Sequence, residues 1–181
     1  DNQSLPYSPY DVFAADIDDD GDMDVLAASG IMGWGVDKIA WYENDGNENF
    51  TEHIVSTSFY QPGTIQAEDI DGDGDIDIIS ASNLPASSEE YDEIVWFEND
   101  GAENFTDHII SNNLDAINSI YVIDIDDDMD MDVLAASNGN HKIAWHENDG
   151  NENFTQFIIT DNANWAQVVF ATDVDNDGDI D

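Results

Sequence analysis

The chain has 181 residues, of which 43 are Asp or Glu and only 2 are Lys or Arg, so its formal net charge is −41 at pH 7. A polyanion of this density repels nucleic-acid phosphates and anionic membrane surfaces, so we predict neither nucleic-acid binding nor membrane insertion. Because 41% of the residues are hydrophobic and 10% are aromatic, the chain can build a core, unlike most acidic disordered chains. The absence of Cys excludes disulfides, thiolate metal sites and cysteine nucleophiles.

One repeating unit is written three times and begun a fourth time. Its first mark is a run of five aspartates at alternate positions, found at residues 16–24, 69–77, 124–132 and 173–181. Its second mark is an apolar stretch with a Trp that ends in Asn-Asp-Gly, found at residues 38–46, 94–101 and 142–150. The sequence Glu-Asn-Phe-Thr follows each of these stretches.

Each unit is predicted to contain four short strands. In the first unit, Val12–Ile17 leads into the aspartate run and Met23–Ala28 leaves it. The next two strands, Lys38–Glu43 and Phe50–Val55, flank an Asn-Asp-Gly turn, a strong hairpin signal because Gly tolerates positive φ. No segment has sustained helical periodicity. We therefore predict an all-β chain made of β-propeller blades of four antiparallel strands, with three blades plus the first strand of a fourth.

The predicted blades occupy residues 1–56, 57–111 and 112–160, and residues 161–181 begin a fourth. Both termini fall inside a repeat. Three blades and one strand are fewer than the ~4 to 8 blades of closed propellers. We expect the remaining blades to come from sequence outside this chain or from another chain, including other copies of the same protein.

The aspartate runs predict calcium sites. Calcium takes about six to eight oxygen ligands, and an EF-hand-type loop supplies them from positions 1, 3, 5 and 9 and from the carbonyl of position 7, with Gly at position 6. Numbering each run from its first Asp reproduces this pattern. The candidate ligands are Asp16, Asp18, Asp20, Asp22, Asp24, Asp69, Asp71, Asp73, Asp75, Asp77, Asp124, Asp126, Asp128, Asp130, Asp132, Asp173, Asp175, Asp177, Asp179 and Asp181. We expect one structural Ca²⁺ per run, up to four, needed for folding.

Position 6 distinguishes the third run from the others. Gly21, Gly74 and Gly178 occupy it in the first, second and fourth runs, whereas Met129 occupies it in the third. If the backbone there has positive φ, a residue other than Gly costs about 1 kcal/mol or more. We predict that the third site binds calcium most weakly. The carboxylates at position 7 are expected to be exposed, since only their carbonyls are needed.

The aspartate runs and the Ile-Ala-Trp-x-Glu-Asn-Asp-Gly segments resemble the FG-GAP/VCBS-type repeats of integrin-alpha-like β-propellers. Those repeats carry a strand, an aspartate calcium loop and a second strand in each blade. The resemblance covers essentially the whole chain. It implies a calcium-stabilised propeller, extracellular or on the cell surface and typical of secreted bacterial proteins, that serves adhesion, carbohydrate contact or scaffolding.

Five tryptophans allow two interpretations. Trp41, Trp96 and Trp145 share one position in the third strand of each unit, and strand alternation places them with apolar residues, so we predict that they pack between blades. A sugar-binding function would use them as stacking platforms instead. Trp34 and Trp165 lie outside this register and are the better candidates for a sugar site.

Four sequons are candidate N-glycosylation sites. They begin at Asn2, Asn49, Asn104 and Asn153. Three of them are copies of one repeat position, which makes coincidence the simpler explanation. Glycans at these positions would coat the surface in a regular array.

No Ser-His-Asp arrangement, His-rich metal spacing or phosphate-binding Gly loop occurs in the sequence, so we predict that the chain is not an enzyme. The favoured function is a calcium-stabilised extracellular propeller module for adhesion, binding or scaffolding, whose partner is a carbohydrate or a surface protein. Two alternatives stay open. The chain could be a protomer or segment of an extracellular filament, or an accessory carbohydrate-contacting domain of a larger secreted polysaccharide-active enzyme.

Overall fold

The computed structural model describes residues 8–30, 37–84 and 92–181. Within these ranges it contains twelve strands and no helix. Sheet 1 consists of β1 (Ser8–Ala15), β2 (Asp24–Gly30), β3 (Lys38–Asn44) and β4 (Phe50–Ser56). Sheet 2 consists of β5 (Pro62–Glu68), β6 (Asp77–Ser82), β7 (Asp92–Asn99) and β8 (Phe105–Leu114). Sheet 3 consists of β9 (Ile117–Ile123), β10 (Asp132–Ser137), β11 (Lys142–Asn148) and β12 (Phe154–Thr160).

Within each sheet the four strands lie in chain order and pair antiparallel. This confirms the predicted all-β architecture of four-stranded units. The division of the chain at residues 56, 111 and 160 stays a prediction. No helix in the described parts of the chain has the length and hydropathy needed to cross a bilayer.

The Asn-Asp-Gly turn closes the hairpin between the third and fourth strands. In sheet 1, Gly46 has a φ of +71°, which Gly adopts without steric cost. The Asp45 N–H donates to the carbonyl of Asn49 at 3.2 Å, and the Asp45 carboxylate accepts the N–H groups of Asn47 and Asn49. The turn motif therefore determines the register of the hairpin locally.

The sheets pack face to face through two apolar cores. The first core joins sheets 1 and 2 and contains Trp41 and Ile78; the second joins sheets 2 and 3 and contains Ile79 and Trp96. Because successive residues of a strand point to opposite faces, the adjacent Ile78 and Ile79 serve different cores. The first strands of neighbouring sheets also contact one another, as in a propeller.

The fourth unit is partial. Residues 161–181 contain no strand. In the other units the first strand pairs with the strand that follows the aspartate run, and in this unit the run ends at Asp181, the last residue. The segment nevertheless contacts sheet 3, where the Val169 N–H donates to the Ser119 hydroxyl at 3.4 Å and the Phe170 ring packs against Tyr121 at 4.8 Å.

Candidate metal centre

Each aspartate run forms a loop after the first strand of its unit, and we name these metal loops 1 to 4 in chain order (residues 16–24, 69–77, 124–132 and 173–181). In metal loop 1, carboxylate oxygens of Asp16, Asp18 and Asp24 all lie within 4.8 Å of one another. These are positions 1, 3 and 9 of the loop. The same positions converge in the other loops, as Asp69, Asp71 and Asp77, as Asp124, Asp126 and Asp132, and as Asp173, Asp175 and Asp181.

Backbone N–H groups orient the carboxylates of positions 1 and 3. The Asp16 carboxylate accepts the N–H groups of Asp20 at 3.1 Å and Gly21 at 3.0 Å. The Asp18 carboxylate also accepts the Asp20 N–H, at 3.3 Å. The loop therefore wraps around these two side chains and leaves their remaining lone pairs for a cation.

Position 5 contributes to the loop but not to the converging group. The carboxylate of Asp20 accepts the N–H of Asp22 at 2.8 Å. The equivalent bonds form at Asp73, Asp128 and Asp177. The structure thus brings together three of the five predicted aspartates in each loop.

The expected exposure of the position 7 carboxylates is wrong for three loops. Asp22, Asp75 and Asp130 are half-buried, and only Asp179 is exposed. The Asp22 carboxylate packs on Gly46 of the Asn-Asp-Gly turn so closely that a Cβ there would collide with it. Asp75 and Asp130 pack in the same way on the glycines of their own turns, so this side chain joins the loop to the hairpin.

Position 9 is the most buried aspartate in the first three loops. Asp24, Asp77 and Asp132 are all 0% exposed. Burial disfavours the charged form and raises the pKa of Asp77 to about 7. The Trp96 indole N–H lowers this pKa in part, although it does not meet the geometry of a hydrogen bond. A bound cation would favour the charged carboxylate instead.

At position 3, Asp18, Asp71 and Asp126 also have raised pKa values. For Asp18 and Asp71 burial is the main cause, and neighbouring carboxylates of the same loop add to it. Glu43 and Glu98 on the third strands add further negative charge. A cluster of oxygen donors with this excess of negative charge could hold a hard divalent cation.

The backbone at position 6 has positive φ in all four loops. The angles are +93° at Gly21, +101° at Gly74, +78° at Met129 and +105° at Gly178. The prediction that the third loop binds calcium most weakly assumed positive φ at position 6, and the structure has it. Met129 holds a left-handed backbone that favours Gly, and its side chain is 86% exposed.

Sequence reasoning did not predict the backbone conformation at position 4. Its φ is also positive, at Asp19, Gly72, Asp127 and Asn176. The signal was present, because Asp, Gly and Asn are the residue types that most readily adopt this conformation. Two left-handed residues in each loop account for its tight path.

The Asn of the Asn-Asp-Gly turn is a second residue that sequence reasoning assigned to the hairpin alone. In each sheet its backbone N–H donates to the position 9 carboxylate at 2.8 Å. These pairs are Asn44 with Asp24, Asn99 with Asp77 and Asn148 with Asp132. The turn motif therefore supports the metal loop as well as the hairpin.

The prediction that Trp41, Trp96 and Trp145 pack between blades is confirmed for Trp41 and Trp96. Each of these two side chains is 1% exposed and belongs to an apolar core. Trp145 is half-buried beside residues 161–181. Of the two tryptophans outside the register, Trp165 is 75% exposed, and Trp34 lies outside the described residues.

Three of the four sequon asparagines are exposed and contribute to the turn. The Nδ2 groups of Asn49, Asn104 and Asn153 donate to the carboxylates of Asp45, Asp100 and Asp149. This contact explains why Asn recurs at the position, and glycosylation stays a prediction. Asn2 lies outside the described residues.

Comparison with known proteins identifies the repeat. No curated protein matches the chain. Among solved structures, a lectin from Agrocybe aegerita, described as recognising non-reducing terminal N-acetylglucosamine, is 16% identical with a TM-score of 0.36. The alignment covers 86% of this chain and 54% of the lectin chain, so the chain spans about half the lectin's length.

A family model described as the FG-GAP-like repeat matches residues 16–80, 69–135 and 124–181. Each match begins at position 1 of a metal loop. Together the three matches cover the chain from Asp16 to Asp181, and the chain therefore belongs to the FG-GAP-like repeat family.

Proposed function

We propose that this chain is a calcium-stabilised β-propeller module of an extracellular or cell-surface bacterial protein. It serves adhesion, binding or scaffolding, with a carbohydrate or a surface protein as partner, and has no catalytic role. The observation that carries this proposal is the convergence of three carboxylates, at positions 1, 3 and 9, in every one of four equivalent loops.

Calcium suits these loops better than magnesium. Calcium accepts about six to eight oxygen ligands in flexible geometry, whereas magnesium demands a near-ideal octahedron and retains several waters. The nine-residue loop offers only oxygen ligands, from its converging carboxylates and its peptide carbonyls. A cation there stabilises the connection between the first two strands, so its binding free energy adds to the free energy of unfolding.

The histidines that recur on the fourth strands of sheets 1 and 2 contribute to packing. In sheet 1, the His53 ring stacks on Trp41 at 4.3 Å and its Nε2 lies 2.8 Å from the Glu43 carboxylate. In sheet 2, His108 stacks in the same way on Trp96 at 4.6 Å. These histidines contribute to packing beside the tryptophans, and the FG-GAP-like fold is typically non-catalytic.

The test is thermal unfolding of the chain in EGTA and in rising concentrations of Ca²⁺ at constant ionic strength. We expect the melting temperature to rise with Ca²⁺, with about 2.7 kcal/mol of stabilisation per site at 100 times the dissociation constant. Mg²⁺ at the same concentration should stabilise far less. A melting temperature unchanged by Ca²⁺ would show that the loops do not bind it.

Asp71→Asn in metal loop 2 and Asp107→Asn on the exposed surface of β8 form a matched pair. Each removes one negative charge, but only Asp71 belongs to a converging group. We expect Asp71→Asn to reduce the Ca²⁺-dependent rise in melting temperature and Asp107→Asn to preserve it. Equal reductions in both variants would mean that calcium acts by general charge screening.

One observation favours the alternative of a filament or a longer array. The face of sheet 1 turned away from sheet 2 exposes apolar side chains, among them Val12 and Ile54 at 60% and 51% exposure, beside the ion pair of Lys38 and Glu52. Together with Val25 these side chains line an open groove of about 600 Å³. Another repeat unit, from the same protein or from a second copy, would cover this face. Light scattering in Ca²⁺ tests the second-copy version, and a monomer at all concentrations contradicts it.

A further inference from the structure

Two buried hydrogen bonds connect the metal loops of neighbouring sheets. The Asn99 Nδ2 group in sheet 2 donates to the carbonyl of Ile17, which is position 2 of metal loop 1, at 3.4 Å. The Asn148 Nδ2 group in sheet 3 donates to the carbonyl of Ile70, position 2 of metal loop 2, at 3.2 Å. Both asparagines are 2% exposed. The same contact therefore occurs at both interfaces between sheets.

The same asparagines also hold the metal loop of their own sheet. The Asn99 N–H donates to the Asp77 carboxylate at 2.8 Å, and its Nδ2 group donates to the Ile76 carbonyl at 3.2 Å. Asp77 and Ile76 are positions 9 and 8 of metal loop 2. One residue thus contacts two metal loops that belong to different sheets.

The contact reaches a converging carboxylate on each side. In metal loop 1, the Ile17 N–H donates to Asp24 at 3.0 Å, while the Ile17 carbonyl accepts from Asn99. The position 2 residue therefore lies between Asp24 and Asn99, and Asn99 in turn binds Asp77. Hydrogen bonds in such a buried chain polarise and orient one another. A cation that orders Asp24 also orders the acceptor of Asn99 and, through Asn99, the carboxylate of the next loop.

We propose that Asn99 and Asn148 are positioning residues that couple calcium binding in metal loops 1, 2 and 3, so that occupying one loop raises the affinity of its neighbour. This inference rests on the calcium binding of the proposed function. The coupling is reciprocal, because each of two linked sites changes the affinity of the other by the same factor.

The chain contains its own controls. Asn44 holds the equivalent position in sheet 1, and among the described residues its Nδ2 group donates to the Met23 carbonyl of its own loop, at 3.2 Å. It is half-buried, unlike Asn99. Metal loop 4 has no following Asn-Asp-Gly turn in this chain, since its run ends at Asp181. Asn44 and metal loop 4 therefore lie outside the proposed coupling.

Position 6 supplies a separate reporter for each loop. The N–H groups of Gly21, Gly74, Met129 and Gly178 donate to the position 1 carboxylates of loops 1 to 4 at 2.9 to 3.1 Å. Cation binding to those carboxylates must move these amide resonances. Titration of the intact chain with Ca²⁺, followed by two-dimensional NMR, thus measures the affinity of each loop separately.

The first experiment disables one loop and observes the next. We expect Asp18→Asn in metal loop 1 to lower the Ca²⁺ affinity reported by Gly74 about fivefold, the factor that corresponds to one hydrogen bond. Asp175→Asn in metal loop 4 should leave the affinity at Gly74 unchanged. Both variants keep Asn99 intact, so this experiment does not depend on the folding of an asparagine variant.

The second experiment removes the connection. We expect Asn99→Ala to lower the affinity at Gly21, in the preceding loop, about fivefold. Asn44→Ala is the matched control, because it leaves the hydrogen bond between Asn99 and Ile17 in place. In the Asn44→Ala background, Asp18→Asn should still lower the affinity at Gly74. In the Asn99→Ala background, Asp18→Asn should no longer affect Gly74.

Two results would overturn the coupling alone: wild-type affinity at Gly74 in Asp18→Asn, or wild-type affinity at Gly21 in Asn99→Ala. Failure of the wild-type chain to bind Ca²⁺ at any reporter would overturn the proposed calcium binding, and the coupling with it. The outcomes for the two proposals are therefore distinguishable.

Discussion

Trp96 and Trp145 occupy the same position of the repeat, yet Trp96 is 1% exposed and Trp145 is only half-buried. Trp96 packs against sheet 3, whereas Trp145 faces residues 161–181, which contain no strand. A cavity of about 290 Å³ remains beside Trp145, lined also by Leu134 and Phe170. The burial of a repeat position is thus determined by the neighbouring sheet as much as by the unit that carries it.

The asparagines of the Asn-Asp-Gly turns show that the burial of a polar side chain also depends on the neighbouring sheet. Asn99 and Asn148 are buried and bind the preceding metal loop, while Asn44, on sheet 1, is half-buried. In stacked repeats, stability is approximately the sum of the stability of each unit and of each interface with a neighbour. Identical side chains at an inner interface and at an open face should therefore contribute different free energies.

The largest expected effect tests this difference directly. We expect Trp96→Ala to reduce the free energy of unfolding by about 3–5 kcal/mol, as for other buried aromatic residues. Trp145→Ala should cost about 1–3 kcal/mol, because part of its surface is already exposed to water. Urea denaturation of both variants in saturating Ca²⁺ measures the two losses. Equal losses would mean that residues 161–181 already bury Trp145 as a complete sheet would.

A second comparison concerns His146 in sheet 3 and Phe97 at the same position of sheet 2. His146 is 1% exposed. Its Nδ1 donates to the Val133 carbonyl and its Nε2 accepts from the Gln156 amide, each at 3.2 Å. Burial lowers its pKa from 6.5 to about 4. The neutral ring therefore contributes stability that is fully present above pH 6.5 and is lost as the pH falls through about 4.

His146→Phe should separate these contributions. At pH 8 we expect the variant to be about 1 kcal/mol less stable than the wild type, because Val133 and Gln156 lose their partner. As the pH falls from 6.5 to 4, the difference should shrink and then reverse. Burial raises the pKa of Asp92 to about 6, so the contribution of Asp92 to stability changes with pH in the opposite direction. Because Asp92 is present in both proteins, its contribution cancels in the difference between them. A difference independent of pH would contradict the lowered pKa of His146.

The smallest effect concerns position 6 of the metal loops. Met129→Gly should stabilise the chain by about 1 kcal/mol and raise the calcium affinity of metal loop 3, because Gly adopts positive φ without strain. Gly74→Ala is the converse, with a cost of about 1 kcal/mol in metal loop 2. A Cβ on Gly74 would meet no atom within 4 Å, so this cost is purely conformational. Differential scanning calorimetry with and without Ca²⁺ measures both, and no gain from Met129→Gly would contradict the strain.

Much of the fold and part of the site could be predicted from sequence. Alternation placed Trp41 and Trp96 correctly between sheets, and the recurring Gly at position 6 correctly indicated positive φ. The orientation of Asp22 was not predictable in this way, because its carboxylate packs on Gly46, which belongs to a hairpin formed later in the chain. The Asn turn residue was assigned to the hairpin because its second role appears only when the metal loop lies beside it.

The sequence by itself determined the features that depend on local chemistry: the four-stranded units, the hairpin at each Asn-Asp-Gly turn and the nine-residue loops with a left-handed residue at position 6. Alternation, turn propensity and φ preferences act over a few residues, so they can be read along the chain. Only the tertiary structure decided how completely a neighbouring sheet covers each face, so that Trp96 is buried and Trp145 only half-buried, and which loops touch. Asn99 and Ile17 are 82 residues apart in sequence, and Asn148 and Ile70 are 78 apart, so their contacts exist only because the sheets stack.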